Sequence, residues 1–301
     1  MKIISVGEVL WDVIGQQEHL GGAPLNFAAH AARLGHEVRF VSAVGKDARG
    51  DRILERMAQM GLSTRYMRRV DEPATGIVTV TVDLSGQPQF VIHRPAAYDF
   101  AGLSDADLDR LFSWEPGWIC FGTLFQATER GRATVRKLIE HNHSARLFYD
   151  VNLRKDCYDR SLVEDLMSVA TVVKLNDSEA LEIDRMFGRS PESLADFCRS
   201  YARRFGWEAV CATQGPSGCT LLVGAELIRA GGYTVEVADA VGAGDAFAAA
   251  FIHGLGESWP AAEIADFANR VGAVVASRPG AIPPWTLDEA KALERSGNAQ
   301  G

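Results

Sequence analysis

The sequence predicts an α/β fold, a doubly wound and mostly parallel sheet flanked by helices, with a small β-hairpin set beside it. Three observations predict it. Short β-rich runs alternate with helical patterns along most of the chain, the rhythm of a parallel sheet joined by crossover helices. Glycine and polar residues recur directly after the strands, at the rim where an open parallel sheet binds its ligand. The rhythm breaks once, at 75–93, where two runs alternate in period two with no helix between them. The 301 residues would fit one large domain or two small ones, but no repeat, low-complexity tract or Pro/Gly/Ser linker divides them, so one domain over 1–301 is expected.

The elements follow in order. Ile3–Val6 is a strand, with Gly7 and Asp12 after it. Pro24–Leu34 and Asp47–Met60 read as helices around the strand Val38–Ala43. Gly76–Asp83 and Gln87–His93 flank Leu84-Ser-Gly-Gln as an antiparallel hairpin, with Ile77, Thr79 and Thr81 on one face and Val78, Val80 and Val82 on the other. Such a hairpin is marginal alone and needs a partner surface; a flap over a site and an edge for dimer pairing both supply one. Trp118–Phe121 leads to Gly122-Thr123, and the helix Thr128–His141 leads to the strand Arg146–Tyr149 and then Asp150-Val-Asn152-Leu-Arg154. Thr171–Lys174 precedes Asn176-Asp-Ser-Glu179, and after the helix Pro191–Phe205 the strand Ala209–Ala212 precedes Thr213-Gln-Gly215. Cys219–Val223 and Thr234–Val237 are the last strands expected, and Ala246–Leu255 is helical.

Composition excludes several functions. Hydrophobic residues are 47% and charged residues 23%, a globular balance. The net charge is −8 with scattered basic residues, which argues against a nucleic-acid or anionic-membrane surface. Cys120, Cys157, Cys198, Cys211 and Cys219 form no Cys-x-x-Cys pair and mostly lie in apolar runs, so they read as buried thiols of a reducing compartment. The N-terminus carries Glu8 and Asp12 where a signal peptide would keep its apolar core, and no apolar run approaches the ~20 residues that span a bilayer. A cytoplasmic protein is expected.

The strongest chemical segment is Asp239-Ala-Val-Gly242-Ala243-Gly244-Asp245, followed by Phe247, Phe251 and Leu255 at helical spacing. Free N–H groups at a helix start, with the helix dipole, make an anion site, and the glycines let backbone approach a phosphate. Asp245 falls beside that site, placed to take a proton from an attacking hydroxyl; the plainer reading is a carboxylate complementing the dipole. The dipole is expected to lower its pKa, tolerable because phosphoryl transfer is mostly positioning and charge stabilisation. A dinucleotide fingerprint would need a small residue where Phe247 stands, and no Gly-x-x-x-x-Gly-Lys-[Ser/Thr] occurs.

The segment resembles the signature of the PfkB sugar kinases, the ribokinase-like family, Asp-Thr-x-Gly-Ala-Gly-Asp. Gly21-Gly22-Ala-Pro-Leu-Asn26 is similar to that family's Gly-Gly-x-x-x-Asn motif, and Val41-Ser-Ala-Val-Gly45-Lys-Asp47-x-x-Gly50 follows it in order. The resemblance implies a ribokinase-like fold with lid elements within about 12–22 and 75–98, ATP with Mg²⁺ as cofactors, and Asp245 as catalytic base beside the amides of Gly242, Ala243 and Gly244. It implies that Asp12 and Asn26 hold sugar hydroxyls, with Gly21 and Gly22 giving the sugar room. Asn176 and Glu179 match the Asn-x-x-Glu motif that organises Mg²⁺ and phosphates, Glu179 indirectly; the same spacing is also a helix capping box. Thr213, Gly215 and Gly218 look like the loop along the nucleotide, and Asn269 resembles the helix residue near the adenosine. Many members also bind a monovalent cation such as K⁺ through carbonyls near positions matching Asp239, Val241 and Gly280. Ala240 departs from the family's Thr, and Ala249 and Ala250 from its paired glycines.

Within that family, Gly7-Glu8-Val-Leu-Trp11-Asp12, Gly22-Ala-Pro and Asp150-Val-Asn152-Leu-Arg154 look most like fructokinases, which makes Asn152 and Arg154 acceptor-binding candidates. His93-Arg94-Pro resembles the lid strand whose Arg faces substrate. The 2-keto-3-deoxygluconate kinases share several of these features, an Arg for a carboxylate among them. Ribokinases, nucleoside kinases and a non-catalytic sugar sensor are further readings. A homodimer through the lid hairpin, its valine face on the second subunit and Arg94 toward substrate, completes the expectation.

Overall fold

The computed structural model describes residues 1–82, 88–190 and 193–294. The first strand, β1 (Lys2–Val6), ends at the rim of the main sheet. Two strands turned on each other follow outside it, β2 (Leu10–Ile14) and β3 (Gln17–Gly21), then α1 (Ala23–Arg33). The run β4 (Glu37–Gly45), α2 (Ala48–Gln59), β5 (Met67–Val70) completes one side of the sheet, and β6 (Gly76–Val82) with β7 (Pro88–Ile92) leaves it. The chain returns through α3 (Asp105–Phe112), β8 (Trp118–Gly122), α4 (Glu129–Glu140), β9 (Arg146–Asp150), α5 (Arg160–Val169) and β10 (Val172–Asn176). It ends in α6 (Asp177–Met186), α7 (Leu194–Phe205), β11 (Ala209–Thr213), β12 (Cys219–Val223), β13 (Glu226–Ala230), α8 (Ala243–Gly256), α9 (Ala261–Ala276) and α10 (Leu287–Ala292).

Among the described residues, nine strands pair in the order β13-β12-β11-β10-β9-β8-β1-β4-β5. The β11–β12 and β12–β13 pairings are antiparallel and the others parallel. Alternation on β1 shows why both faces carry helices: Ile3 packs into one core layer, Ile4 and Val6 into the other. The first layer takes the apolar stripes of α1, α8 and α9, with Ala249 and Ala250 fully covered; the second takes Leu138, Val163 and Tyr201 from α4, α5 and α7. Burying each large apolar side chain stabilises the fold by about 1.5–3 kcal/mol. Helices begin where short polar side chains accept their first free amides, as Asp47, Thr128, Asp159 and Ser193 do for α2, α4, α5 and α7.

Two expectations are corrected. Thr234–Val237 joins no ladder and Val237 is exposed; the place beside β12 is taken by Glu226–Ala230, which follow it across a tight turn at Gly224. The hairpin does lie outside the main sheet, yet it is not alone. It extends the β2–β3 pair into a second sheet, β3-β2-β6-β7, in which Asp12 aligns with Val78 and Ile14 with Val80. Aligned residues share a face, so the valine face is the one that carries Asp12, and Val78 is covered by this chain's own core around Leu10 and Tyr98. The turn at Leu84-Ser-Gly-Gln and the helix start at Pro191 lie outside the described residues.

Candidate active site

The glycine turn before α8 is held from both sides. Asp239 accepts the N–H of Val241 at 2.9 Å and of Gly280 at 3.1 Å, tying the loop before α8 to the loop after α9. His30 of α1 pins that second loop: its Nδ1 accepts the Trp285 indole N–H at 3.0 Å and its Nε2 faces the Ala281 carbonyl at 3.0 Å. Gly242 has φ 80° and would place a Cβ 2.2 Å from the Ala281 oxygen, so no side chain fits. The N–H groups of Gly242, Gly244 and Asp245 meet no partner among the described residues, while that of Ala243 makes a 3.4 Å bond to Ala240. Free donors at the start of a 14-residue helix are what an anion hole requires.

Asp245 stands at its edge and accepts Asn26 Nδ2 at 2.8 Å, so α1 and α8 meet at these two side chains. Its carboxyl is pushed up to about 6, the opposite of the dipole-lowered value expected from sequence. Burial is the main cause and the nearby Asp150 adds to it; Lys174, Asn26 and Arg154 oppose it. A carboxylate titrating there is a better base than an ordinary aspartate. Lys174, in the middle of β10, binds Asp150 of β9 at 3.1 and 3.2 Å and lies 3.4 Å from where a Cβ on Gly244 would be. Sequence reasoning missed Lys174; the available signal is a lysine inside the apolar run Thr171-Val-Val-Lys-Leu.

The second sheet brings in Asp12, whose carboxyl burial also pushes up, against Arg154 and His19. Gly21 and Gly22 make room for the protein as much as for a ligand: a Cβ on Gly21 would lie 2.3 Å from Asp12 Oδ2, and one on Gly22, with φ 111°, 2.5 Å from the Glu8 carbonyl. Arg154 is exposed and interacts with Glu8, Asp12, Asp150 and Asp245. Asn152, held at φ 40°, lines the same crevice. Arg94 does not point free into it as expected, because its guanidinium binds Tyr98 at 3.3 Å, the Leu124 carbonyl at 2.6 Å and Asp99 at 3.2 Å. Glu8 is buried near these groups, and burial raises its carboxyl to about 7.

Across the anion hole, β10 and β11 run in register, setting Asn176 opposite Thr213. Asn176 and Glu179 form the capping box in full: Asn176 caps α6, and Glu179 accepts the N–H groups of Asn176 and Leu153, both at 2.8 Å. Gly215 and Gly218, with φ 54° and 97°, turn the loop between β11 and β12. Asn269 of α9 donates its amide to the Ala265 carbonyl at 2.8 Å and to Cys219 at 3.5 Å, close to the start of β12. Among the described residues no cluster of three or more His, Cys, Asp or Glu is spaced to hold a metal, and no helix is long and apolar enough to cross a membrane.

A family model described as pfkB family carbohydrate kinase matches residues 2–287. A sugar kinase of Pyrococcus horikoshii is 29% identical over 307 aligned positions, covering 95% of this chain and 94% of its own. Its structure in complex with ATP aligns with a TM-score of 0.80 over 97% of this chain and 100% of that one, at 27% identity. A fructokinase of Salmonella typhimurium is 28% identical over 84% of each chain. The 2-dehydro-3-deoxygluconokinase of Thermotoga maritima, 19% identical, shares the fold with a TM-score of 0.86 over 97% of this chain and 98% of its own.

Proposed function

The chain belongs to the pfkB family of carbohydrate kinases, and on that premise we propose that it transfers the γ-phosphoryl group of ATP to a hydroxyl of a neutral ketohexose, fructose before others. The observation that carries this reading is Asp245, held by Asn26 beside unpartnered amides at the start of α8. Asp245 takes the proton of the acceptor hydroxyl as its oxygen bonds to the γ-phosphorus and the bond to ADP breaks. The N–H groups of Gly242 and Gly244 and the ammonium of Lys174 balance charge on the transferred group. Thr213, Gly215 and Gly218 run along the nucleotide.

A neutral acceptor is favoured because Glu8, Asp12, Asp150 and Asp245 crowd this side, while Arg94 is committed to Asp99 and Tyr98. The second reading is a 2-keto-3-deoxy acid, whose carboxylate Arg154 is free to bind. Comparing kcat/KM for fructose, ribose, 2-keto-3-deoxygluconate and adenosine separates them: fructose should rank first, and the keto acid in that place would overturn the neutral reading. If Asp12 holds sugar hydroxyls, Asp12→Ala should raise the KM for sugar some tens-fold, about 1.5–3 kcal/mol, with the KM for ATP little changed. Equal effects on both would make Asp12 structural.

Magnesium, when bound with ATP, neutralises phosphate charge. Glu179 fits it through water, since its two oxygens already take backbone amides, and Asn176 stands exposed beside it. A potassium ion would be held by backbone carbonyls of the loops that Asp239 ties together through the N–H groups of Val241 and Gly280. The free thiols suit a cytoplasmic setting.

The sheet β3-β2-β6-β7 is the lid over the acceptor. Its outer end leaves Ile14 and Phe90 exposed, 51% and 59%, on the face of Val80, and a second subunit would cover them. Val80→Lys should then split a dimer, raise the KM for sugar and increase ATP hydrolysis without sugar. A wild-type monomer by light scattering at micromolar concentration, still fully active, would refute the shared lid.

A further inference from the structure

The helix α1 carries a histidine where its neighbours are small and apolar, in Ala28-Ala29-His30-Ala31-Ala32. His30 is fully buried, and burying two ring nitrogens destabilises the fold unless both are hydrogen-bonded. Both are, and the partners fix which nitrogen carries the proton. The Trp285 indole N–H can only donate, so Nδ1, 3.0 Å from it, is bare. The Ala281 carbonyl can only accept, so Nε2, 3.0 Å from it, holds the hydrogen. An imidazolium would set an Nδ1–H against the indole N–H. The ring is therefore neutral and in one tautomer. Burial, helped by Arg33 and opposed by the bond to Ala281, takes its pKa down to about 4.

What His30 holds lies against the glycine turn before α8. The Ala281 oxygen is the atom that a Cβ on Gly242 would strike, at 2.2 Å, and the Ala281 Cα lies 2.6 Å from the same point. Backbone packs on backbone there. Gly280, the residue before Ala281, is tied to the turn through Asp239, which also takes the N–H of Val241. Asn26, one helical turn before His30 on α1, donates to Asp245 at 2.8 Å. Residues four apart share a helix face, so one face of α1 holds the anion hole at two points. It holds the base through Asn26, and the first glycine through His30 and Ala281.

We propose that His30 is a positioning residue for phosphoryl transfer. Its Nε2–H, kept in that tautomer by Trp285, fixes the Ala281 carbonyl against Gly242 and so holds the free amides of Gly242 and Gly244 in one arrangement. Buried in the core, His30 reaches neither substrate. Its effect falls where charge develops on the transferred group, the stage at which preorganised donors matter most. The assignment rests on the phosphoryl-transfer reading above.

Two substitutions separate the two bonds of the ring. Glutamine places an N–H near the position of Nε2, and asparagine places an oxygen near that of Nδ1. His30→Gln should keep kcat within a few-fold of the wild type. His30→Asn should lower kcat by about tenfold to 10²-fold, the scale of a small misplacement of reacting groups, with KM for sugar little changed. Binding of ADP with aluminium fluoride and sugar, a mimic of the phosphoryl group in transfer, should weaken by the same factor, and binding of ADP alone should not. Equal losses in the two variants overturn the assignment, as does a folded His30→Asn with wild-type kcat and wild-type aluminium fluoride binding. A wild type that forms no tight complex with ADP, aluminium fluoride and sugar overturns the anion-hole reading and the assignment together. Should neither variant fold, the unmodified enzyme still decides. In nitrogen-15 spectra of labelled histidine, the ring bonded to the Trp285 indole should show a protonated Nε2 and a bare Nδ1 throughout the pH range of activity. The other tautomer, or an imidazolium, overturns the assignment.

Discussion

Asp245→Asn is expected to lower kcat with fructose by about 10²–10⁴, the scale of a lost general base, while ATP binding stays largely intact. The asparagine keeps the size of the side chain and its contact with Asn26, so the anion hole should survive. The pH profile gives a second signature. Asp245 works ionised and its carboxyl sits at about 6, so wild-type kcat/KM should fall as pH drops through about 6, where an ordinary aspartate near 3.8 would hold its rate. That limb should vanish in Asp245→Asn. Stability follows the same shift with a definite sign. A carboxyl whose folded pKa is raised contributes stability below its unfolded value and loses it as pH rises through about 6. At pH 8 the ionised Asp245 is a burden on the fold, and the asparagine variant should melt higher than the wild type. Near-normal turnover in a folded variant would remove Asp245 from the chemistry.

Lys174→Met should lower kcat by about 10²–10³, the cost of removing one preorganised donor from a transition-state charge. The ammonium lies beside Gly244 and is held there by Asp150 at 3.1 Å. Methionine also strands the Asp150 carboxylate, and breaking a buried pair from one side destabilises by about 3–5 kcal/mol. Folding and catalysis are separable by adding Asp150→Asn. The double variant should recover most of the lost melting temperature and little of the lost kcat. Recovery of both would mean that Lys174 acts only by holding β10 to β9.

Much of the fold is legible in the sequence because buried parallel strands are apolar runs, and helices between them carry stripes and caps that local rules detect. Ile3–Val6, Trp118–Phe121 and Ala209–Ala212 stand out this way. The strands of the second sheet do not, since Gln17-Glu18-His19 is polar and its pairing with β2 is a tertiary matter. Thr234–Val237 fails for the converse reason: a β-rich run forms no strand when its place at the edge is already filled by Glu226–Ala230. Residues of the glycine turn are legible because a helix-start anion hole needs backbone that only glycine provides. Lys174 is not, because its significance lies in what surrounds it, a carboxylate on the neighbouring strand.

The most direct measurement is ADP release from ATP with and without fructose, in the wild type and in Asp245→Asn at equal ATP occupancy. Release by the wild type should require the sugar, yield one sugar phosphate ester per ADP, and fall by about 10²–10⁴ in the variant. ADP release that is the same with and without sugar, or a variant that turns over fructose at the wild-type rate, would contradict phosphoryl transfer from the anion hole of α8 through Asp245.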